Sequence, residues 1–368
     1  MTSPIIPPTM LAAQVQAYNA PYVLTTVPVP TNLGPHDLLI KVAAASHCHT
    51  DAMVRAGTFS TPLPCTGSHE GAGTVVRTGS AVTAFRAGDR VMCGLPLEPC
   101  GACADCTGPE NQTHYCAHTA GAVGVVSDGC FAEYVRADAR SSTAVPDTVS
   151  LVSAAPLACA GRTVWRAVGQ VGLGEGRWLA IVGSGGGLGH IGIQFAKKRG
   201  LRVIGIDARD EGLVLSKEAG ADVVIDARKG KEQVVKKVHE VTGEQAGADA
   251  TITLADADSA AALACAVTRM HGTMLQIAQP TEVKIPFHEF IFRDIRVRGS
   301  VLCSPGESRQ MMDFIALNGI DVKGNLFYGL EKIHDLVEKV ELGKIQGKAI
   351  IIVDEEQIRR EKELGAKF

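Results

Sequence analysis

From Leu38 to about Val145 short apolar runs alternate with glycine and turn residues. Leu38–Val42, Gly71–Val76, Asp89–Met92 and Phe131–Val135 read as strands of a β-rich domain. Near Pro156 the pattern changes. Arg177–Gly183 is an apolar strand that runs into a glycine cluster. Leu188, Ile191 and Phe195 then recur at helical spacing, and Gly200 is a helix stop. A strand at Val203–Asp207, a helix to Ala219, a strand at Asp222–Asp226 and a helix over Lys231–Val241 follow. The alternation continues with a strand at Asp249–Leu254, a helix over Ala260–Met270 and a strand at Thr273–Ala278. Regular strand–helix alternation predicts a parallel sheet with helices on both faces. After about Gly299 the pattern predicts helices near Ser308–Leu317 and Leu330–Leu342 and a final strand, Ala349–Val353. There is no internal repeat and no low-complexity linker.

At 368 residues the chain is long enough for two domains. A formal charge of −3 offers no case for nucleic acid or an acidic membrane surface. Low aromatic and high glycine content suit an α/β protein. Met1 to Ala20 lacks the basic and apolar regions of a secretory signal, and no apolar stretch approaches the ~18 residues of a membrane span. These features predict a soluble, cytoplasmic protein. Eleven cysteines in such a chain point to metal ligands more than to disulfides, and an odd total fits complete pairing poorly. The sequon Asn111-Gln112-Thr113 then reads as a chance match.

Cys100-x-x-Cys103-x-x-Cys106, with Cys116 shortly after, lies in a glycine-containing loop. Four thiolates can converge on one tetrahedral ion with no open position, a zinc site that serves folding rather than chemistry. A redox pair, unused thiols or an iron–sulfur cluster are the competing readings. Three further segments carry polar residues that packing alone does not explain: His47-Cys48-His49-Thr50-Asp51, Gly67-Ser68-His69-Glu70-Gly71 and Leu157-Ala158-Cys159-Ala160-Gly161. Two cysteines and one histidine would leave zinc a fourth position for water or substrate, although a lone cysteine such as Cys159 is more often a small buried hydrophobe. Gly183-Ser184-Gly185-Gly186-Gly187-Leu188-Gly189 follows a strand and opens a helix, where glycines let the backbone approach a pyrophosphate. The run reads as G-x-x-G-x-x-G rather than the strict G-x-G-x-x-G. Asp207 ends the next strand, where a carboxylate would bind both ribose hydroxyls of NAD(H) and repel the extra phosphate of NADP(H). Nearby Arg209 softens that preference, so NADP(H) stays open. A solvated strand end is the alternative for Asp207.

The order of these motifs resembles the zinc-dependent medium-chain alcohol dehydrogenases, in their microbial, yeast-type branch, from about Leu38 to about Val353. The resemblance implies a GroES-like β-rich catalytic domain built from residues 1–160 and 300–368. It implies a Rossmann doubly wound domain over 161–299. It assigns Cys48, His69 and Cys159 to a catalytic zinc and Cys100, Cys103, Cys106 and Cys116 to a structural zinc, two ions per chain. Thr50 matches the hydroxyl that bonds the alcohol oxygen, and Asp51 the carboxylate that orients the ligand histidine. Glu70 lies beside the metal and could ligate it transiently. His49 and Lys348 match basic positions that contact the pyrophosphate, alongside the loop residues Gly183, Gly185, Gly186, Gly187, Leu188 and Gly189. The implied activity is hydride transfer between an alcohol and an aldehyde or ketone, by a homo-oligomer (dimer or tetramer) with a small-molecule substrate.

Two departures stand out. Met53 occupies the position where the family commonly ends its proton relay in a histidine. The interval from Cys106 to Cys116 is longer than usual, which makes His114 a competing ligand. With Phe59 and Leu95, Met53 favours a pocket adapted away from ethanol, as in a specialised reductase or dehydrogenase of a secondary metabolite. A nucleotide-binding protein without catalysis would be expected to lose a zinc ligand, and all three are present.

Overall fold

The computed structural model describes residues 5–367. The chain divides into two compact units. One runs up to Arg162 and resumes at Cys303, and the other is Thr163–Leu302. Residues 1–4 of the segment assigned above to 1–160, and Phe368, lie outside the described residues.

The first unit is organised around the strand Asp37–His47, buried along nearly its whole length. On one side it pairs antiparallel with Glu70–Thr78, Ser46 facing Glu70; on the other it pairs with Lys348–Ile352, His47 facing Ala349. The central strand therefore ends, at His47 and Cys48, beside the beginnings of both neighbours. Leu38, Ile40, Val42, Val75 and Ile351 fill one core cluster with Phe131. The sheet continues outward through Arg90–Met92 on one flank and Gly324–Tyr328 on the other.

The second unit holds a six-stranded sheet in the order Val223–Asp226, Arg202–Asp207, Trp178–Val182, Ala248–Thr253, Thr268–Gln276 and Arg296–Gly299. Every pairing is parallel. Taken in chain order, this is the 3-2-1-4-5-6 arrangement of a doubly wound dinucleotide-binding fold. Ala180, Ile204, Ile206, Val234 and Met274 fill its core.

Several elements differ from the sequence reading. The segment expected as a strand at 131–135 forms its regular strand later, at Tyr134–Asp138, because Ala13 donates to the Phe131 carbonyl and Ala12 bridges Ala132 instead. The helix expected over 260–270 stops at Val267, and residues 268–276 are already strand. Thr268 is drawn into the sheet by its hydroxyl bond to Thr251 Oγ1 (2.8 Å). The helix expected from Leu330 opens as a tight 3₁₀ turn over Leu330–Lys332 before Ile333–Glu341. Nor is 349–353 the last element: the helix Glu355–Glu363 follows, capped by Asp354. An N-terminal hairpin, Thr9–Val15 with Val23–Pro28, was not foreseen. Among the described residues no helix is long and apolar enough to cross a membrane.

Candidate active site and cofactor loop

Three segments of the first unit bring Cys48, His69, Glu70 and Cys159 together, with one ligand atom from each lying within 4.8 Å of the others. Cys48 stands at the start of the helix His49–Arg55. Asp51, fully buried, accepts from the backbone N–H of Cys48 (2.7 Å) with one oxygen and from that of Ser68 (2.9 Å) with the other. One carboxylate thus ties the loop carrying the first cysteine to the loop carrying the histidine. Its Oδ1 lies 4.0 Å from His69 Nδ1, too far for a hydrogen bond. Its hold on His69 therefore runs through charge and through the neighbouring backbone. Ser68 makes the turn into His69 at φ +68°, and its hydroxyl bridges to Ser46 O (2.9 Å). A Cβ at Gly129 would lie 2.2 Å from Ser68 O, so only glycine admits that approach.

Cys159 arrives by a different device. The helix Leu151–Pro156 runs into a π turn, Leu157–Gly161. There the N–H of Ala160 donates to Glu70 Oε1 (3.2 Å). The widened turn and this diverted N–H aim the cysteine into the cluster, a recurrent use of π bulges at functional sites. The other oxygen of Glu70 meets Lys348 Nζ at 2.6 Å, and both side chains are buried. Burial pushes the Glu70 carboxyl up to about 7 against the pull of the Lys348 charge. The Cys48 thiol is driven well below its usual range, chiefly by its bond with Cys159, and the Lys348 charge also favours its thiolate. The donor set is therefore two sulfurs, one imidazole and a nearby carboxylate, with Cys48 already inclined to its ligating form. That set fits a zinc ion with an open fourth position. Thr50 Oγ1 lies 3.9 Å from Cys48 Sγ. His49 is exposed at the first position of its helix, and Met53 is half-buried on the same helix.

The four-cysteine lobe is pinned at its base by the pairing of Pro96–Leu97 with Gly121–Ala122. Within it Cys100 and Cys106 have sulfurs 4.0 Å apart, Cys103 and Cys116 3.8 Å, and Cys100 and Cys116 3.6 Å. A tetrahedral zinc with Zn–S near 2.3 Å places its sulfurs about 3.8 Å apart, whereas a disulfide needs about 2.05 Å. The fourth donor here is Cys116, not His114. N–H groups of Ala102 and Cys103 point at Cys100 Sγ and lower its thiol to about 6.

In the second unit the glycine run follows the strand Trp178–Val182 and leads into the helix Gly189–Lys198. Steric demand falls on Gly185 and Gly189: a Cβ would sit 1.9 Å from Gly212 O at the first and 2.3 Å from Ser184 O at the second. Gly186 has no such crowding and instead lines a cavity of about 580 Å³ with Gly183, Asp207 and Arg209. Asp207 accepts from Gly185 N (2.9 Å), Ala208 N (2.9 Å) and Arg209 N (3.0 Å). Three of a carboxylate's roughly four acceptor sites are thus spent on the chain itself, holding the glycine loop to the end of the next strand. Arg209 Nε stands 3.6 Å from the same carboxylate and is about 40% exposed.

Sequence reasoning missed the Ala160 N–H, the turn at Ser68 and the burial of Lys348 against Glu70. Only the last had a signal, a lone lysine at the head of an apolar strand.

Two family descriptions match this chain. Residues 34–147 match the alcohol dehydrogenase GroES-like domain, and residues 187–317 match the zinc-binding dehydrogenase domain. The chain is 33% identical over 355 residues to alcohol dehydrogenase 1 of Emericella nidulans, covering 95% of this chain and 99% of that one. It is 34% identical over 326 residues to an alcohol dehydrogenase of Geobacillus stearothermophilus, covering 87% and 92%. The solved alcohol dehydrogenase of the archaeon Aeropyrum pernix superposes with a TM-score of 0.84 at 30% identity, covering 93% of this chain and 99% of that one.

Proposed function

Because the chain belongs to the zinc-dependent medium-chain alcohol dehydrogenase family, a group of oxidoreductases acting on alcohols and carbonyls, we propose a residue-level account of its chemistry. The convergence of Cys48, His69, Glu70 and Cys159 carries it. Cys48, His69 and Cys159 would hold a catalytic zinc, which would supply Lewis-acid polarisation of the substrate oxygen. Cys100, Cys103, Cys106 and Cys116 hold a second, structural zinc. In oxidation Thr50 would accept the alcohol's hydroxyl proton, and a nicotinamide, when bound, would supply the acceptor for the hydride from its carbon. The products are a carbonyl compound, the reduced cofactor and one proton released to solvent; reduction runs the same exchange backwards. With Met53 on the relay helix, the proton leaves through water or His49.

Gly183, Gly185, Gly186, Gly187, Leu188 and Gly189 would seat the pyrophosphate with His49 as a basic contact, whereas Lys348, buried against Glu70 at 2.6 Å, is spent on that carboxylate. Asp207 selects NAD(H), since its buried negative charge disfavours an added phosphate. Purified protein should turn over a panel of small alcohols and carbonyls faster with NAD(H) than with NADP(H). In Asp207→Ala that preference should shrink, on the order of tenfold. A wild type preferring NADP(H), or a variant with unchanged preference, would move cofactor choice from Asp207 to Arg209. A homo-oligomer fits the edge strand Arg296–Gly299 and the exposed Phe287, Ile291 and Phe292 of the same unit. Light scattering that reports a monomer would refute it.

A further inference from the structure

Arg162 follows the π turn directly, three residues after Cys159, and is 3% exposed. Its guanidinium donates to Ser308 Oγ (2.9 Å), Ser141 O (2.9 Å) and Thr143 Oγ1 (2.7 Å). All three acceptors are neutral, and among the described residues no carboxylate pairs with it. Burial works against its charge more than anything else, and the titratable groups that favour it are thiols: Cys303 most, then Cys93, then Cys159. The pocket is rigid, because Ser308 and Thr143 also bond each other (2.8 Å) and Ser308 rides on the capped helix Pro305–Asn318. Arginine keeps its charge in proteins, so this is a fixed, buried cation without a counter-ion. Such a group is expensive to bury, and neutral hydrogen-bonding side chains could fill the same place.

The charge balance of the neighbouring cluster gives the cation a use. Two thiolates neutralise a divalent ion, and Glu70 and Lys348 neutralise each other (2.6 Å). Asp51, buried 4.0 Å from His69 and bonded among the described residues only to backbone N–H groups, leaves the cluster one charge negative before any ligand binds, and an anion entering the open position makes it two. We propose that Arg162 is the built-in counter-charge of the Cys48–His69–Cys159 site and biases its open position toward anionic over neutral ligands. The idea rests on reading this cluster as the catalytic zinc site. For the reaction it means that Arg162 favours the substrate oxygen in its ionised form, the form from which hydride leaves readily. Arg162 is thus a positioning residue that acts by charge, without touching substrate.

Cobalt(II) substituted into the full-length protein reports ligand binding through its visible absorption. Formate serves as the anionic probe and imidazole as the neutral one, with Arg162→Gln, Arg162→Met and Arg162→Lys compared to wild type. The neutral variants should bind formate about tenfold more weakly with imidazole affinity unchanged, and Arg162→Lys should restore formate binding. The neutral variants should also melt no lower than wild type, since they remove an unpaired buried charge. Equal changes for both probes, or none for either, would overturn the proposal. Collapse of both neutral variants with Arg162→Lys intact would overturn it too, by assigning the charge to folding. A wild-type cobalt protein lacking thiolate-to-metal absorption would refute the metal-site reading itself.

Discussion

Cys159→Ser is expected to lower turnover by about 10³-fold or more and to reduce the zinc content from two ions per chain to one. The melting temperature should stay within about 4 °C of wild type, the shift that roughly 1 kcal/mol produces in a chain of this size. The serine hydroxyl is a much poorer zinc ligand than a thiolate, and the site has no spare sulfur. The neighbouring framework does not depend on that sulfur, because the π turn is held by the Ala160 N–H on Glu70 and the other two ligands by Asp51. Cys103→Ser is the control: it should also lose one zinc, but with a large fall in stability, since the lobe has little beside its four sulfurs to hold it. Elemental analysis, steady-state rates and thermal unfolding decide the matter. Retention of both ions by Cys159→Ser with turnover within tenfold of wild type would refute the assignment.

Lys348→Met is expected to destabilise the protein by about 3–5 kcal/mol, the usual cost of stranding one partner of a buried ion pair. The two side chains are 4% and 0% exposed, so solvent screens them little. Once the lysine is gone, the Glu70 carboxylate faces the Cys48 and Cys159 sulfurs with only the Ala160 N–H to satisfy it. The double variant Lys348→Met/Glu70→Gln should recover most of the loss, which marks the penalty as that of an orphaned charge rather than of lost packing. Denaturant unfolding of the two single variants and the double variant measures this coupling. A single-variant loss below about 1 kcal/mol, the range of an exposed pair, would mean that the pair is not buried in solution.

The two candidate ligand clusters were legible because residue type and short spacing carry most of a ligand set. Cys100, Cys103 and Cys106 can meet one ion almost wherever their loop lies. The glycine loop was legible for a similar local reason, although the glycines under steric demand, Gly185 and Gly189, are not those a motif match would favour. What stayed hidden depends on distant partners. The π turn at Cys159 exists because Ala160 bonds a side chain 90 residues away, and nothing in Leu157–Gly161 announces it. The helix Glu355–Glu363 escapes hydrophobic patterning because its buried residue is Glu361. That carboxylate takes Arg90 at 2.6 Å and the Leu151 N–H at 2.7 Å. The hairpin strand Thr9–Val15 is buried over its last four residues, so it lacks the alternation by which strands are found.

The interrupted first unit carries a consequence for biosynthesis. Ser46 beside Cys48 bonds Ala349 beside Lys348 across a separation of 303 residues, and the whole of Thr163–Leu302 is made between them. At about 5–20 residues per second, the central strand leaves the ribosome roughly 15–60 s before the partner that brings Lys348. The dinucleotide-binding unit is contiguous and can fold within that interval. The carboxylate of Glu70, by contrast, has no cation until synthesis is nearly done. During that window Asp37–Lys41 can already pair with Tyr134–Asp138, but Ala44–His47 presents an open edge, so the nascent protein is exposed there to strand-pairing errors and to chaperones while its cofactor unit can already be formed.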